Sequence, residues 1–247
     1  MITGTMTGRE LHAIFCKDRA ALDRFTEGKV KKLARELRKG FGESATQCYD
    51  FKIKDVDYKV CVLVNKGTSK KGYFYDVFMY CKETNDYYAA AVLDDEWLNQ
   101  EQFSYTTHFL HRYAERALGM PDIPTNRIIA HIEREITYTV LLYTDGDHKV
   151  LASSMGLFLQ KYDRARGINV CKTFISVEMM RTSQIKAFEQ VADMIKKYSA
   201  EFKRTGCRES IANDFAEECL KNGVFQKDLS DAYGEYFKKR KNHQNRK

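Results

Sequence analysis

His108, Arg112 and Arg116 recur every four residues, so on a helix their side chains stand in one row. A histidine beside two fixed cations suits phosphodiester chemistry. An imidazole with an unperturbed pKa of ~6.5 moves protons near neutral pH, and guanidinium groups hold phosphate oxygens through paired hydrogen bonds. The alternative is a solvated helix face, in which Glu115 pairs with His111 or Arg112 and nothing reacts. Lys31, Lys32 and Arg35, and further on Lys70 and Lys71, are candidate contacts to a nucleic-acid backbone. Lysines in such numbers also serve only to solvate a surface.

The element that must position the row is 106–119. At ~100° per residue, Phe109, Leu110, Tyr113, Ala114, Ala117 and Leu118 fill one arc. His108, His111, Arg112, Glu115 and Arg116 fill the other. Thr106 or Thr107 suits the cap at the start. Gly119 suits the left-handed residue that ends a helix, and Pro121 forbids continuation. The pattern predicts a helix over about 106–118 whose Phe109, Tyr113 and Ala117 side packs on a sheet.

Ahead of it, Leu11, Ile14 and Phe15 mark a short helix, and Asp18 is placed to cap a second one. Val30, Leu33, Ala34, Leu37 and Phe41 then continue at helical spacing among lysines and arginines. Between 48 and 93 the apolar period becomes two, and short connections predict a four-stranded antiparallel meander. Its tyrosines read as sheet packing rather than as base-stacking platforms. Ile128, Ile129 and Ile132 define another short helix, which carries His131 as a surface or half-buried residue. Next come a strand over 136–142, a hairpin signal at Thr144-Asp145-Gly146-Asp147, and one long or bulged strand over 150–162 with its bend at Gly156. In the strand 168–176, simple alternation places Lys172 and Thr173 on opposite faces. Ile185, Phe188, Ala192, Ile195 and Phe202 stripe a long helix, and 211–220 and 229–237 suggest two more.

This order predicts an α+β protein, with antiparallel sheet or sheets, flanking helices and a C-terminal helical region. It divides into N-terminal helices plus meander (1–95), a helix–hairpin–strand core (96–177), C-terminal helices (178–240) and a basic tail (241–247), or packs as one compact domain. The 247 residues are 43% hydrophobic with a formal net charge of +7, which favours anionic partners. No apolar run approaches the ~20 residues that cross a bilayer, and no signal peptide is visible at the start. Seven cysteines without a C-x-x-C pair argue against a disulfide framework and against a metal site. A reducing cytoplasm is the expected home, and no cofactor is implied.

A helix bearing His-x-x-x-Arg-x-x-x-Arg, a second short helix, a hairpin and a strand containing Lys172-Thr173-Phe174-Ile175 together resemble part of the barnase/EndoU/colicin/RelE-like nuclease superfamily. The resemblance covers about 105–176 and is nearest to small bacterial families whose helix reads His-Ala-x-x-Arg-x-x-x-Arg; here Phe109 stands at the alanine. It implies a metal-independent ribonuclease in a toxin, phage or mobile-element setting. His108 would be the acid/base, Arg112 and Arg116 would steady the phosphoryl oxygens, and Thr173 or Lys172 would assist from the strand. RNA or another nucleic acid is the partner so implied, with a protein partner or inhibitor beside it. Two other classes stand next to that one: a nucleic-acid-binding module without chemistry, and a structural or interaction protein of a phage or mobile element.

Overall fold

The period-two segments assemble into one sheet of nine strands. The computed structural model describes residues 1–40, 42, 44–65, 73–90, 102–135, 139–205 and 208–223. The strands are β1 (Ser44–Ile53), β2 (Val56–Asn65), β3 (Tyr73–Cys81), β4 (Asp86–Ala90), β5 (Gln102–Tyr105), β6 (Val140–Asp145), β7 (His148–Ser153), β8 (Gly156–Asp163) and β9 (Ile168–Ile175). Their order across the sheet is β1-β2-β3-β4-β5-β9-β8-β7-β6. All neighbours are antiparallel except β5 and β9, which run parallel with Ser104 beside Val170. Two meanders, β1 to β5 and β6 to β9, therefore share one sheet. With helices α1 (Gly8–Lys39), α2 (Thr107–Ala117), α3 (Thr125–Glu135), α4 (Thr182–Thr205) and α5 (Arg208–Lys221), the architecture is α+β.

Alternation along β2 sets the layers, because successive side chains leave opposite faces. Tyr58, Val60, Val62 and Val64 bury against Leu11, Phe15, Leu22, Leu33 and Leu37 of α1. Cys61 turns the other way, into a cluster with Phe78, Tyr105, Phe109, Tyr113, Ile129 and Ile132, beneath α2 and α3. A third cluster packs Phe188, Ile195 and Phe202 of α4 and Phe215 of α5 over Val140, Ala152 and Leu157.

Several local expectations change. The N-terminal segment is one helix of 32 residues, opened by a capping box between Thr7 and Glu10. Asp18 does not cap a second helix. Its carboxylate accepts the Tyr58 hydroxyl proton at 2.7 Å, and Asp23 accepts from Tyr75 in the same way, so packing against the sheet carries the helix through. The segment 150–162 is two strands, β7 and β8, joined by a tight turn at Ser154-Met155. Gly156 follows at φ +148°, where a Cβ would collide with the Ile175 carbonyl, a position open only to glycine. Ser153, Ser154 and Gly156 mark this turn in the sequence, where the glycine reads equally well as a bend. The expected helix over 229–237, the tail 241–247 and the end of the strand expected over 87–93 lie outside the described residues.

Helix α2 follows its pattern. The Thr106 hydroxyl accepts from the Phe109 N–H at 3.1 Å, Gly119 adopts φ +64°, and the Met120 N–H reaches back to the Ala114 carbonyl at 3.0 Å. Phe109 and Tyr113 are 0% exposed, whereas His108 is exposed. Truncating Phe109→Ala removes a ring stacked on Tyr105 and set edge-on to Phe158. Chemical denaturation should show a loss of about 3–5 kcal/mol, against less than about 0.5 kcal/mol for His108→Ala. Equal effects of the two substitutions would contradict the division of faces.

Candidate nucleic-acid interface

The sheet holds α2 by its first turn. The Thr106 N–H and hydroxyl both donate to the Cys171 carbonyl of β9, at 3.4 and 3.0 Å. The Thr107 hydroxyl donates to the Asn85 carbonyl in the turn before β4. Beyond these anchors, the predicted row divides. His108 stands in solvent and makes no hydrogen bond within the described residues. Arg112 is paired with Glu115 at 2.7 Å, and this hydrogen bond holds the Glu115 carboxyl below its usual range. Arg116 donates to the Phe174 carbonyl of β9. Both guanidinium groups are thus engaged, Arg112 in an exposed, solvent-screened pair and Arg116 as a clamp between helix and strand.

Strand β9 departs from simple alternation. Gln160 lies opposite Cys171 and Leu159 opposite Thr173, so Lys172 is an extra, unpaired residue of a bulge. A bulge re-aims the side chains around it. Cys171 and Phe174 accordingly both join the α2 cluster, although three residues apart, and Lys172 and Thr173 are not shared out between the faces. Thr173 is half-buried, while Lys172 is exposed. Lys172 lines a groove of about 380 Å³ together with Lys161, Tyr162, Asp163, Arg164 and Asp147. Arg164 is paired with Asp147 at 2.6 Å across this groove.

Asp86, which the sequence did not single out, links the groove to α2. It is half-buried at the start of β4, and burial raises its carboxyl above the usual range. Hydrogen bonds from Thr84 and from the Thr107 N–H, with the charges of Lys172 and Arg166, work against that rise. The Lys172 charge is thus felt at Asp86, whose carboxylate accepts from the first turn of α2. No local pattern marks Asp86, since apart from Thr84 its partners come from the start of α2 and from Arg166 and Lys172. The other predicted cations are elsewhere. Lys31, Lys32 and Arg35 are exposed on α1, which covers the opposite face of the sheet from α2. Lys70 and Lys71 lie outside the described residues. Within the described residues no group of three His, Cys, Asp or Glu side chains is placed to hold a metal, and no helix is long and apolar enough to cross a membrane.

The raised Asp86 carboxyl has a pH signature. As pH rises past the unfolded value of about 3.9, the unfolded chain releases this proton before the folded one does. The contribution of Asp86 to stability is thus full below that value and falls until the folded group has also ionised. Asp86→Asn removes the loss. Denaturation free energies measured from pH 3 to 7 should show the variant gaining on the native protein as pH rises; a difference that is flat or reversed would refute the burial of this carboxyl.

Comparison with protein-family models, with curated protein sequences and with solved structures gives no significant match.

Proposed function

We propose that this protein binds nucleic acid through the phosphate backbone, with the groove between β8 and β9 as the contact. The observation that supports it is the convergence of Lys161, Arg164 and Lys172 on one groove. Lys161 and Lys172 have no carboxylate within 4.0 Å among the described residues, and Arg164 is the one neutralised by Asp147. Tyr162 adds an aromatic wall, and the formal net charge of +7 draws polyanions to the whole molecule. Each phosphate neutralised by a lysine releases condensed counterions. Binding is therefore strong at low salt and falls steeply as salt rises.

A second reading, cleavage of the bound strand, draws on one observation: His108 is exposed next to Thr107, whose N–H meets Asp86 beside Lys172. In that reading His108 moves the proton of an RNA 2′-hydroxyl or of the leaving oxygen, and Lys172 takes the charge on phosphate. Arg112 would first have to leave Glu115 and Arg116 the Phe174 carbonyl, which ranks binding above catalysis.

Two measurements separate the readings. For Lys161→Ala with Lys172→Ala, a plot of log affinity against log salt should lose roughly one to two units of slope, about one per phosphate contact. An unchanged slope would discard the groove, and absence of binding by the native protein even at low salt would discard the proposal. Incubation with total RNA and a chelator tests the second reading. Cleavage that His108→Ala lowers by ~10²–10⁴-fold would establish it, and intact RNA throughout would leave binding alone.

A further inference from the structure

Helices α2 and α3 do not cover the whole of the face on which they pack. Phe78 lies in the cluster beneath them. Two residues further along β3, on the same face, Tyr80 lies opposite Tyr87 of β4 and Asp57 of β2. Lys59 is opposite Phe78, and Asp50 of β1 is opposite Lys59. Lys52 is opposite Asp57. Tyr80, Tyr87, Asp57, Lys59, Asp50 and Lys52 border an open groove of about 490 Å³. The Tyr80 and Tyr87 rings lie side by side on adjacent strands, with centroids 5.0 Å apart, and each remains partly exposed.

Both rings are held in place. The Tyr80 hydroxyl donates to the Asn85 side chain at 2.6 Å, and Asn85 occupies the left-handed region at φ +58°, which asparagine tolerates. The carbonyl of the same Asn85 takes the hydroxyl of Thr107, so one turn fixes Tyr80 and the start of α2 together. Thr125 of α3 hydrogen-bonds the Tyr87 hydroxyl. Asn126 donates to Asp50 at 2.8 Å. Lys59 pairs with Asp50, while Lys52 and Lys82 share Asp57 at 3.7 and 3.1 Å. Three lysines against two aspartates leave a net positive rim around two pre-oriented aromatic faces.

Two fixed aromatic rings, tilted 31° to one another, beside lysines that share fewer aspartates suit unstacked nucleobases. Every base has a π-face, so stacking is tolerant of sequence, and lysines at the rim reach the flanking phosphates. A duplex keeps its bases stacked on one another and has nothing to offer the rings. We propose that Tyr80 and Tyr87 form a base-stacking platform for a single-stranded segment of nucleic acid. The platform rests on the nucleic-acid reading and narrows it.

The test uses the full chain and three probes of equal length: a single-stranded oligonucleotide, its duplex, and a single strand with abasic central positions. Tyr80→Ala with Tyr87→Ala should weaken single-strand binding by roughly five- to a hundred-fold, while duplex binding stays within about twofold. The unchanged duplex binding guards against a folding defect in the alanine pair, and Tyr80→Phe with Tyr87→Phe, which keeps both rings, should retain most of the single-strand affinity. The abasic strand should bind the native protein as weakly as the intact strand binds the alanine pair. Equal losses on single strand and duplex, no loss on either, or native-like binding of the abasic strand would each overturn the platform. Those outcomes leave the Lys161 and Lys172 dependence untouched, whereas failure of the native protein to bind any probe would overturn the nucleic-acid reading itself.

Discussion

The four-residue parallel pairing of β5 with β9 is the joint on which the arrangement depends. It is what makes one sheet of two antiparallel meanders. Because Tyr105 lies beside Cys171, the next residue, Thr106, is delivered to the Cys171 carbonyl, where its N–H and hydroxyl both bond. That double contact starts α2, since the same hydroxyl caps the helix through the Phe109 N–H. The placement of His108, Asp86 and Lys172 around one corner descends from this pairing, and not from any single loop.

The joint is reinforced at its far end. Arg116 closes on the Phe174 carbonyl, and the bulge at Lys172 lets Cys171 and Phe174 face α2 together. A regular strand would have turned one of them away. The bulge thereby assigns two jobs to neighbouring residues: its flanks pack the helix, and its extra residue, Lys172, is left to line the groove. Arg116 shows the same economy in reverse, since a residue that reads as a phosphate ligand serves as a structural clamp.

Legibility in the sequence tracks the range of the forces involved. Helix α2 was readable in full, because its apolar arc, its Thr106 cap and its Gly119 terminator lie within fourteen positions and act locally. The Glu115–Arg112 pair, three residues apart, was legible for the same reason. The clamp on Phe174 spans 58 residues, and nothing near Arg116 announces it. Lys172 was placed by alternation, which a bulge breaks without leaving a proline or glycine as a marker. Tyr80 and Tyr87 read as sheet packing because β3 and β4 continue the pattern of their buried neighbours, and Tyr87 does pack against the cluster beneath α2 and α3; the exposure that both rings keep is set by helices distant in sequence. The long α1 was cut in two because Asp18 suits a cap, while its real partner, Tyr58, lies 40 residues away.

The topology also carries an order of assembly. Every antiparallel contact between neighbouring strands of β1 to β4, and of β6 to β9, closes over a short stretch of chain. The contact of Thr106 with Cys171 spans 65 residues. Closing a longer loop costs more chain entropy before any contact rewards it. The hairpins therefore precede the joint, and α2 gains its anchoring only when β9 arrives. Until then the edges of β5 and β9 are unpaired templates for other strands. The corner holding His108, Asp86 and Lys172 is accordingly among the last parts of the molecule to form, and a nascent chain acquires it only after the second meander has been synthesised.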